Sequence, residues 1–202
     1  MKRRRADILE DDPGFTARIR ARDPETLETI VRTTLAQVHR IARSAGLGPP
    51  QAEDVAQATF LAFIESAPTF EGRSHVRTWL LGILYNKIAE ARRGTSREAQ
   101  HDPIEEVVES RFNVDGTWAR PPRPLDLHLE DKEIRKGIED CLGELPTQQK
   151  MAFLLREAQG LSSQEICKIL GVTVTHLGVL FFRSRNRLRE CLEQKGLKGS
   201  RS

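Results

Sequence analysis

The sequence predicts an all-α protein: two small helical domains joined by a flexible linker, the C-terminal one a helix-turn-helix. Three observations predict it. Apolar residues recur at three- and four-residue spacing in two blocks, from Asp23 to Arg93 and from about Leu129 onward, and nowhere alternate as in a strand. Between the blocks, Asp102, Glu105, Glu106 and Glu109 form an acidic run and Pro121, Pro122 and Pro124 crowd one short stretch, a composition that reads as extended chain. Aromatic residues make up only 5% of the 202 residues and charged residues 30%, a balance that suits surface-rich helical bundles. The expected division is a tail over 1–22, a domain over 23–94, a linker over 95–127, a second domain over 128–195 and a tail over 196–202.

The elements follow in order. Asp23-Pro24-Glu25 is a helix start, a capping carboxylate followed by proline where its missing N–H costs nothing. Leu27, Ile30, Val31, Leu35, Val38 and Ile41 then form one apolar stripe, which Gly46-Leu47-Gly48-Pro49-Pro50 breaks. A second helix is expected from about Gln51 to Ser66, stopped by Pro68. A third, capped by Ser74, is expected from about His75 to Arg93 on Val76, Trp79, Leu80, Ile83, Leu84 and Ile88. In the linker, a short helix around Ile104–Phe112 is expected, with Phe112 and Trp118 as apolar anchors. Beyond it, Ile134, Ile138, Cys141, Leu142 and Leu145 make a stripe that ends at Pro146. Met151, Phe153, Leu154 and Leu155 belong to the next helix, which Gly160 ends. Ser162 and Glu165 make a capping box ahead of Ile166, Ile169 and Leu170. Gly171 turns the chain into a last helix over about Val174–Gln194.

Several function classes drop out. No stretch approaches the roughly 18 apolar residues of a membrane span. The basic Met1-Lys2-Arg3-Arg4-Arg5 is followed by Asp7, Glu10, Asp11 and Asp12 where a signal peptide needs its apolar core, so a cytoplasmic protein with no membrane insertion is expected. Cys141, Cys167 and Cys191 are odd in number and widely spaced, which reads as free thiols rather than a zinc site or disulfide framework. The five histidines are scattered, and no phosphate-cradling loop or nucleophile elbow occurs. The expectation is therefore no enzyme, no metal and no cofactor.

The functional signals lie on three helices. A short capped helix, a Gly-containing turn and a longer arginine-rich helix have the layout whose second helix enters the major groove. Leu177, Phe181, Leu188 and Leu192 would face the core, leaving Arg183, Arg185, Arg187 and Arg189 on the outside to neutralise phosphates or fork onto guanine. The helix over Gln51–Ser66 spreads Phe60, Leu61, Phe63 and Ile64 around most of its circumference. Either it is fully central or one face waits for a partner protein. The stretch from Phe70 to Arg93 combines a Gly-containing loop, aromatic residues and bases, the ingredients for holding single-stranded DNA. Trp79 at helical spacing reads equally as core.

Ala52-Glu53-Asp54-Val55-Ala56-Gln57-Ala58-Thr59-Phe60, Phe70-Glu71-Gly72-Arg73 and Arg77-Thr78-Trp79-Leu80 resemble the second conserved region of extracytoplasmic-function (ECF) sigma factors of bacterial RNA polymerase. Leu145-Pro146, Gly160-Leu161-Ser162, Glu165-Ile166, Leu170-Gly171-Val172, Arg183-Ser184-Arg185 and Arg187-Leu188-Arg189 resemble their fourth region. The resemblance implies an alternative sigma factor that binds core RNA polymerase and directs promoter recognition, DNA opening and transcription initiation. Glu53, Asp54, Gln57, Phe60, Leu61 and Ile64 would grip the coiled coil of the polymerase β′ subunit. Phe70, Arg73, Ser74, Trp79, Asn86, Lys87, Arg92 and Arg93 would recognise the downstream promoter element and help open it. Thr173, Thr175, His176, Arg183, Arg185 and Arg187 would read the upstream element as duplex while the unit packs on the β flap. An anti-sigma factor is the implied inhibitor, and the linker would thread the RNA exit channel.

One departure stands out. Family members usually carry polar or basic residues early in the recognition helix, where this chain has Gly178, Val179, Leu180 and Phe182. Readout then shifts to Thr175, His176 and the arginines, or to shape and phosphates. His176 reads equally as a plain exposed residue, and Leu180 with Phe182 as an apolar patch for the flap or an anti-sigma factor. The rival reading is a one-component helix-turn-helix regulator that acts without polymerase-core binding.

Overall fold

The computed structural model describes residues 14–93 and 132–196, and every regular element among them is helical. The expected linker, its short helix, Phe112 and Trp118 lie outside the described residues, as does most of both tails. The chain divides into two compact units, broadly one on either side of Gly94–Thr95.

The first unit begins earlier than expected. Within the supposed tail, α1 (Phe15–Arg20) buries Phe15 and Ile19, one turn apart. Six residues cannot hold a helix in water alone, so these two side chains and the chain they pack against keep it formed. Arg22 then adopts φ 55°, and its guanidinium donates to the Glu65 carbonyl at 2.8 Å. Asp23 opens α2 (Pro24–Ser44) as expected, its Oδ2 accepting from the Thr26 amide at 2.9 Å and the Thr26 hydroxyl at 2.6 Å. Within α2 the inner stripe is Leu27, Ile30, Thr34, Val38 and Ile41. Leu35, assigned to that stripe from sequence, is 49% exposed. The helix turns 100° per residue, so Thr34 occupies the inward position, its hydroxyl satisfied by the Ile30 carbonyl at 2.7 Å.

Helix α3 (Pro49–Ser66) starts two residues sooner than expected, because proline in the first turn lacks only an N–H that the helix leaves unpaired anyway. A 3₁₀ turn, Ala67–Thr69, leads through a loop to α4 (Val76–Arg93). Val76, Leu80, Leu81, Leu84 and Ile88 of α4 are buried, and α3 packs against it.

The second unit holds α5 (Lys132–Glu144), α6 (Thr147–Phe153), α7 (Ser163–Leu170) and α8 (Val174–Gln194). One π-helical turn, Leu154–Ala158, continues α6. Cys141, Leu142, Leu145, Leu154, Leu188 and Leu192 form a core that binds α5 and α6 to α8, with Ile138, Phe153 and Cys191 at its margin. Here the sequence reading is corrected: Cys141 and Cys191 are joined in a disulfide across 50 residues, and of the three cysteines only Cys167 is free. Spacing along the chain cannot show such a pair. It arises because α5 and α8 bring their C-terminal turns together, with the two Cα atoms 5.8 Å apart.

Among the described residues no single helix is long and apolar enough to cross a membrane, and no cluster of His, Cys, Asp and Glu could hold a metal ion.

Candidate nucleic-acid and partner interfaces

Helix α3 resolves into two faces. Ala52, Val55, Ala56, Thr59, Phe60 and Phe63 are buried, whereas Glu53, Asp54, Gln57 and Leu61 are exposed and Ile64 is half-buried. Asp54, Gln57, Leu61 and Glu65 follow at helical spacing along the outer side. Leu61 is 61% exposed, an apolar side chain held in water beside a carboxylate and an amide. Phe60, grouped from sequence with the partner-facing residues, is only 7% exposed. It packs behind that face and cannot form it.

The loop between the 3₁₀ turn and α4 shows a similar division. Phe70 is buried and stacks on Trp79 with ring centres 4.8 Å apart, while Phe63 tilts against Trp79 at 5.2 Å. Phe70 and Trp79, named from sequence as candidate platforms for DNA bases, already hold one another, at a gain of about 1 kcal/mol beyond area burial. Trp79 itself is half-buried. Around them Arg73 stands out, 84% exposed and paired with Glu71 at 2.6 Å. Asn86 is exposed, Ser74 and Arg92 are half-buried, and Lys87 pairs with Glu90 at 2.9 Å. Arg93 ends the helix, and its side chain lies outside the described residues. The loop's shape depends on Gly72, at φ 70°, where a β-carbon would come 2.9 Å from the Thr16 hydroxyl of α1.

In the second unit, α7 and α8 meet at 92°, the angle of a helix-turn-helix. The local chemistry is as the sequence indicates. The Ser162 hydroxyl accepts from the Glu165 amide at 3.3 Å while the Ser162 amide donates to Glu165 Oε2 at 2.8 Å. Gly171 ends α7 in the left-handed region at φ 66°, ψ 36°. Thr173 then caps α8, accepting from the His176 amide at 3.2 Å. Leu177, Phe181, Leu188 and Leu192 are buried, as is Leu180, which removes it from the apolar surface patch suggested by sequence. Thr173, Val174, Thr175 and His176 are all exposed at the helix start, where backbone N–H groups and the helix dipole favour an anion such as phosphate.

The arginines of α8 are not equivalent. Arg187 and Arg189 are exposed, with Arg187 Nη1 donating to Gln149 Oε1 at 3.4 Å. Arg185 is tied into its own unit by an ion pair with Glu157 at 2.6 Å. Arg183 is half-buried. Two residues escaped the sequence reading. Asn186 shares the outer strip of α8 with Thr175, Val179 and Phe182, a placement that their spacing alone indicates. Arg156 lies in the π turn, where its guanidinium donates to the Leu161 carbonyl at 3.2 Å and the Ser163 hydroxyl at 2.5 Å, and sits 5.1 Å over the Phe181 ring. Its signal was a charge closing the apolar run Met151–Leu155, directly before Glu157.

Comparisons with known proteins bear on both units. The model of sigma-70 region 2 matches residues 30–98, and that of sigma-70 region 4 matches residues 135–188. A Haemophilus influenzae protein named "Probable RNA polymerase sigma factor" is 32% identical over 151 residues, which cover 71% of this chain and 78% of that one. The ECF RNA polymerase sigma factor SigD of Mycobacterium tuberculosis is 31% identical over 171 residues, 82% of this chain and 74% of that one. The fold is shared with CnrH, solved in complex with the cytosolic domain of CnrY, at a TM-score of 0.64 and 20% identity over 89% of this chain and 96% of that one. It is shared too with the sigma factor RpoE of Bartonella quintana, solved with the anti-sigma factor NepR, at a TM-score of 0.58 and 24% identity over 82% of this chain and 96% of that one.

Two helical units, one matching sigma-70 region 2 and the other a helix-turn-helix matching region 4, define the class as RNA polymerase sigma factors. Within that class the chain belongs to the ECF family, and it is an alternative sigma factor. The reading as a one-component regulator is set aside, because such a regulator has no counterpart of region 2.

Proposed function

We propose that the outer face of α3 binds core RNA polymerase at the β′ coiled coil through Glu53, Asp54, Gln57, Leu61 and Ile64, with Phe60 supporting the face from inside. The observation that carries this reading is Leu61, a leucine left 61% exposed on a helix whose other large apolar residues are buried or half-buried. Burying it against a partner would gain about 1.5 kcal/mol or more, a stabilisation the isolated chain forgoes. The loop with Arg73 and Ser74, followed by Asn86, Lys87, Arg92 and Arg93 on α4, recognises the downstream promoter element and holds it open. Phe70 and Trp79 shape that loop rather than stack freely on bases. The second unit reads the upstream element as duplex through Thr173, Thr175, His176, Arg183 and Arg187, packs on the β flap, and keeps Arg185 largely for its own structure. Chemistry on the nucleotides belongs to the polymerase. An anti-sigma factor that covers these surfaces is supported by the RpoE neighbour, which was solved with one.

Run-off transcription with core polymerase over a promoter library tests the proposal. Leu61→Glu should abolish transcription and core association while leaving the unfolding midpoint unchanged, because the side chain makes little contact inside its own unit. Full transcription by that variant would overturn the assignment of α3.

A further inference from the structure

The bond between Cys141 and Cys191 links the last turn of α5 to the C-terminal turns of α8, the first and last helices of the described second unit. Cys141 is sealed among Leu142, Leu145, Leu154, Leu188 and Leu192, whereas Cys191 is half-buried at the margin of that cluster. Cys191 is therefore the half of the bond nearer to solvent, and Cys141 the buried half. Glu144 Oε2 lies 3.7 Å from the Cys191 sulfur. A sigma factor acts where polymerase and DNA are, in a compartment whose thiol pool keeps most cysteines reduced and where disulfides are chiefly redox-sensing or catalytic.

We propose that Cys141 and Cys191 form a reversible redox site, a dithiol–disulfide couple exchanged with low-molecular-weight thiols of the glutathione class, whose oxidised form holds the promoter-reading unit in its binding-competent fold. In reduction, an external thiolate attacks the accessible Cys191 sulfur, forms a mixed disulfide there and expels Cys141 as a thiolate, which takes up a proton. A second external thiolate attacks the external sulfur of the mixed disulfide, which releases Cys191 as a thiolate that is then protonated, and the external disulfide. Two electrons pass to the protein and two external thiols are oxidised, and oxidation runs the same steps in reverse.

The consequence for DNA follows from size and position. A helical unit this small has little net stability. Closing a loop of 50 residues removes denatured-state freedom on a comparable scale. Reduction therefore releases both ends of the unit at once, and one of those ends belongs to the helix whose opposite end is the proposed reader of the promoter. Apparent affinity falls in proportion to the fraction of molecules still competent to bind. Glu144 adds kinetic control, since its carboxylate repels an incoming thiolate.

The test equilibrates the full-length protein with mixtures of glutathione and glutathione disulfide. Three readouts follow: thiols counted by mass-tag alkylation, hydrogen exchange in α5 and α8, and binding to the promoter duplex selected by the transcription assay. The alkylation count should move from three thiols to one within the range of mixtures. Reduction should speed exchange in α5 and α8 and weaken duplex binding by roughly three- to tenfold. The double variant Cys141→Ala with Cys191→Ser should match the reduced protein at every mixture, Cys167→Ser should keep the response, and Glu144→Gln should be reduced several times faster. A bond that survives the most reducing mixture, or never forms, or leaves exchange and affinity unchanged, overturns the proposal; because these readings come from the wild-type chain, they hold even if a variant fails to fold. The affinity arm rests on the promoter-reading assignment of α8. If thiol count and exchange respond while no duplex binds in either state, the redox site stands and that assignment fails.

Discussion

Arg156 binds three elements of the second unit with one side chain, donating to Leu161 and Ser163 at the start of α7 and covering Phe181 of α8. Two partly buried hydrogen bonds and a cation–π contact together amount to about 2 kcal/mol. Arg156→Ala should lower the stability of that unit by this amount in urea denaturation, and Arg156→Lys should recover only part of it, because an ammonium cannot fork to two acceptors. Asp23 behaves differently. The hydroxyl of Thr26, its backbone amide and the nearby Arg18 hold the carboxyl below its ordinary value of 3.8, against a smaller opposing effect of burial. The folded state therefore gains from the ionised form above pH 3.8, and that gain is lost as pH falls through the depressed value. In an acid titration wild type should be more stable than Asp23→Asn above pH 3.8, and the difference should shrink only in that low window. A difference that stays constant through that window would show that the cap does not titrate. Cys167 is held above its ordinary thiol range, chiefly by burial and despite Arg156, and so stays protonated and slow to alkylate at neutral pH.

At the scale of elements, α8 divides its labour along its length and around its circumference. Its first turn is exposed and capped, its inner face fills the core, and its outer strip carries Thr175, Val179, Phe182 and Asn186. Val179 and Phe182 offer no hydrogen bonds to base edges, which leaves Asn186 as the amide suited to adenine. Asn186→Ala should relax preference at one base position by about 1–3 kcal/mol and leave other positions alone. Arg187→Ala and Arg189→Ala should instead weaken binding on every sequence and each reduce the salt slope by about 1. An unchanged slope would put both guanidinium groups away from the phosphates. Arg185→Ala should show a stability loss from its broken pair with Glu157, which urea denaturation without DNA would register.

For the molecule as a whole, the disulfide sets the two units apart. On a chain-entropy estimate a bond closing 50 residues is worth about 4 kcal/mol, a contribution the first unit lacks. That unit relies on the packing of α3 against α4, on the rings of Phe63, Trp79 and Phe70, and on α1 held over Gly72. Reduction should therefore leave hydrogen exchange in α2, α3 and α4 unchanged while raising it in α5 and α8. Gly72→Ala should do the opposite, loosening α1 because the new methyl would both meet Thr16 and strain a positive φ.

Much of this was legible residue by residue. The all-α class followed from spacing, the starts of α2 and α7 from capping side chains, and the turn between α7 and α8 from Gly171, because such preferences act over three or four residues and leave their mark in local order. Five things depended on tertiary structure. Phe15 and Ile19 make a helix only because the rest of their unit receives them. Leu35 and Thr34 exchange places by one helical step. Phe60 supports a face that Leu61 presents. Arg185 spends its charge on Glu157. Cys141 meets Cys191 because two helix ends converge. Each joins residues far apart in the chain or separates neighbours around a helix, and the outcome turns on how whole elements pack. The sequence by itself determined that this protein is two helical units with a helix-turn-helix in the second. The tertiary structure alone decided which side chains on those helices are left to meet a partner, since exposure is what remains after packing.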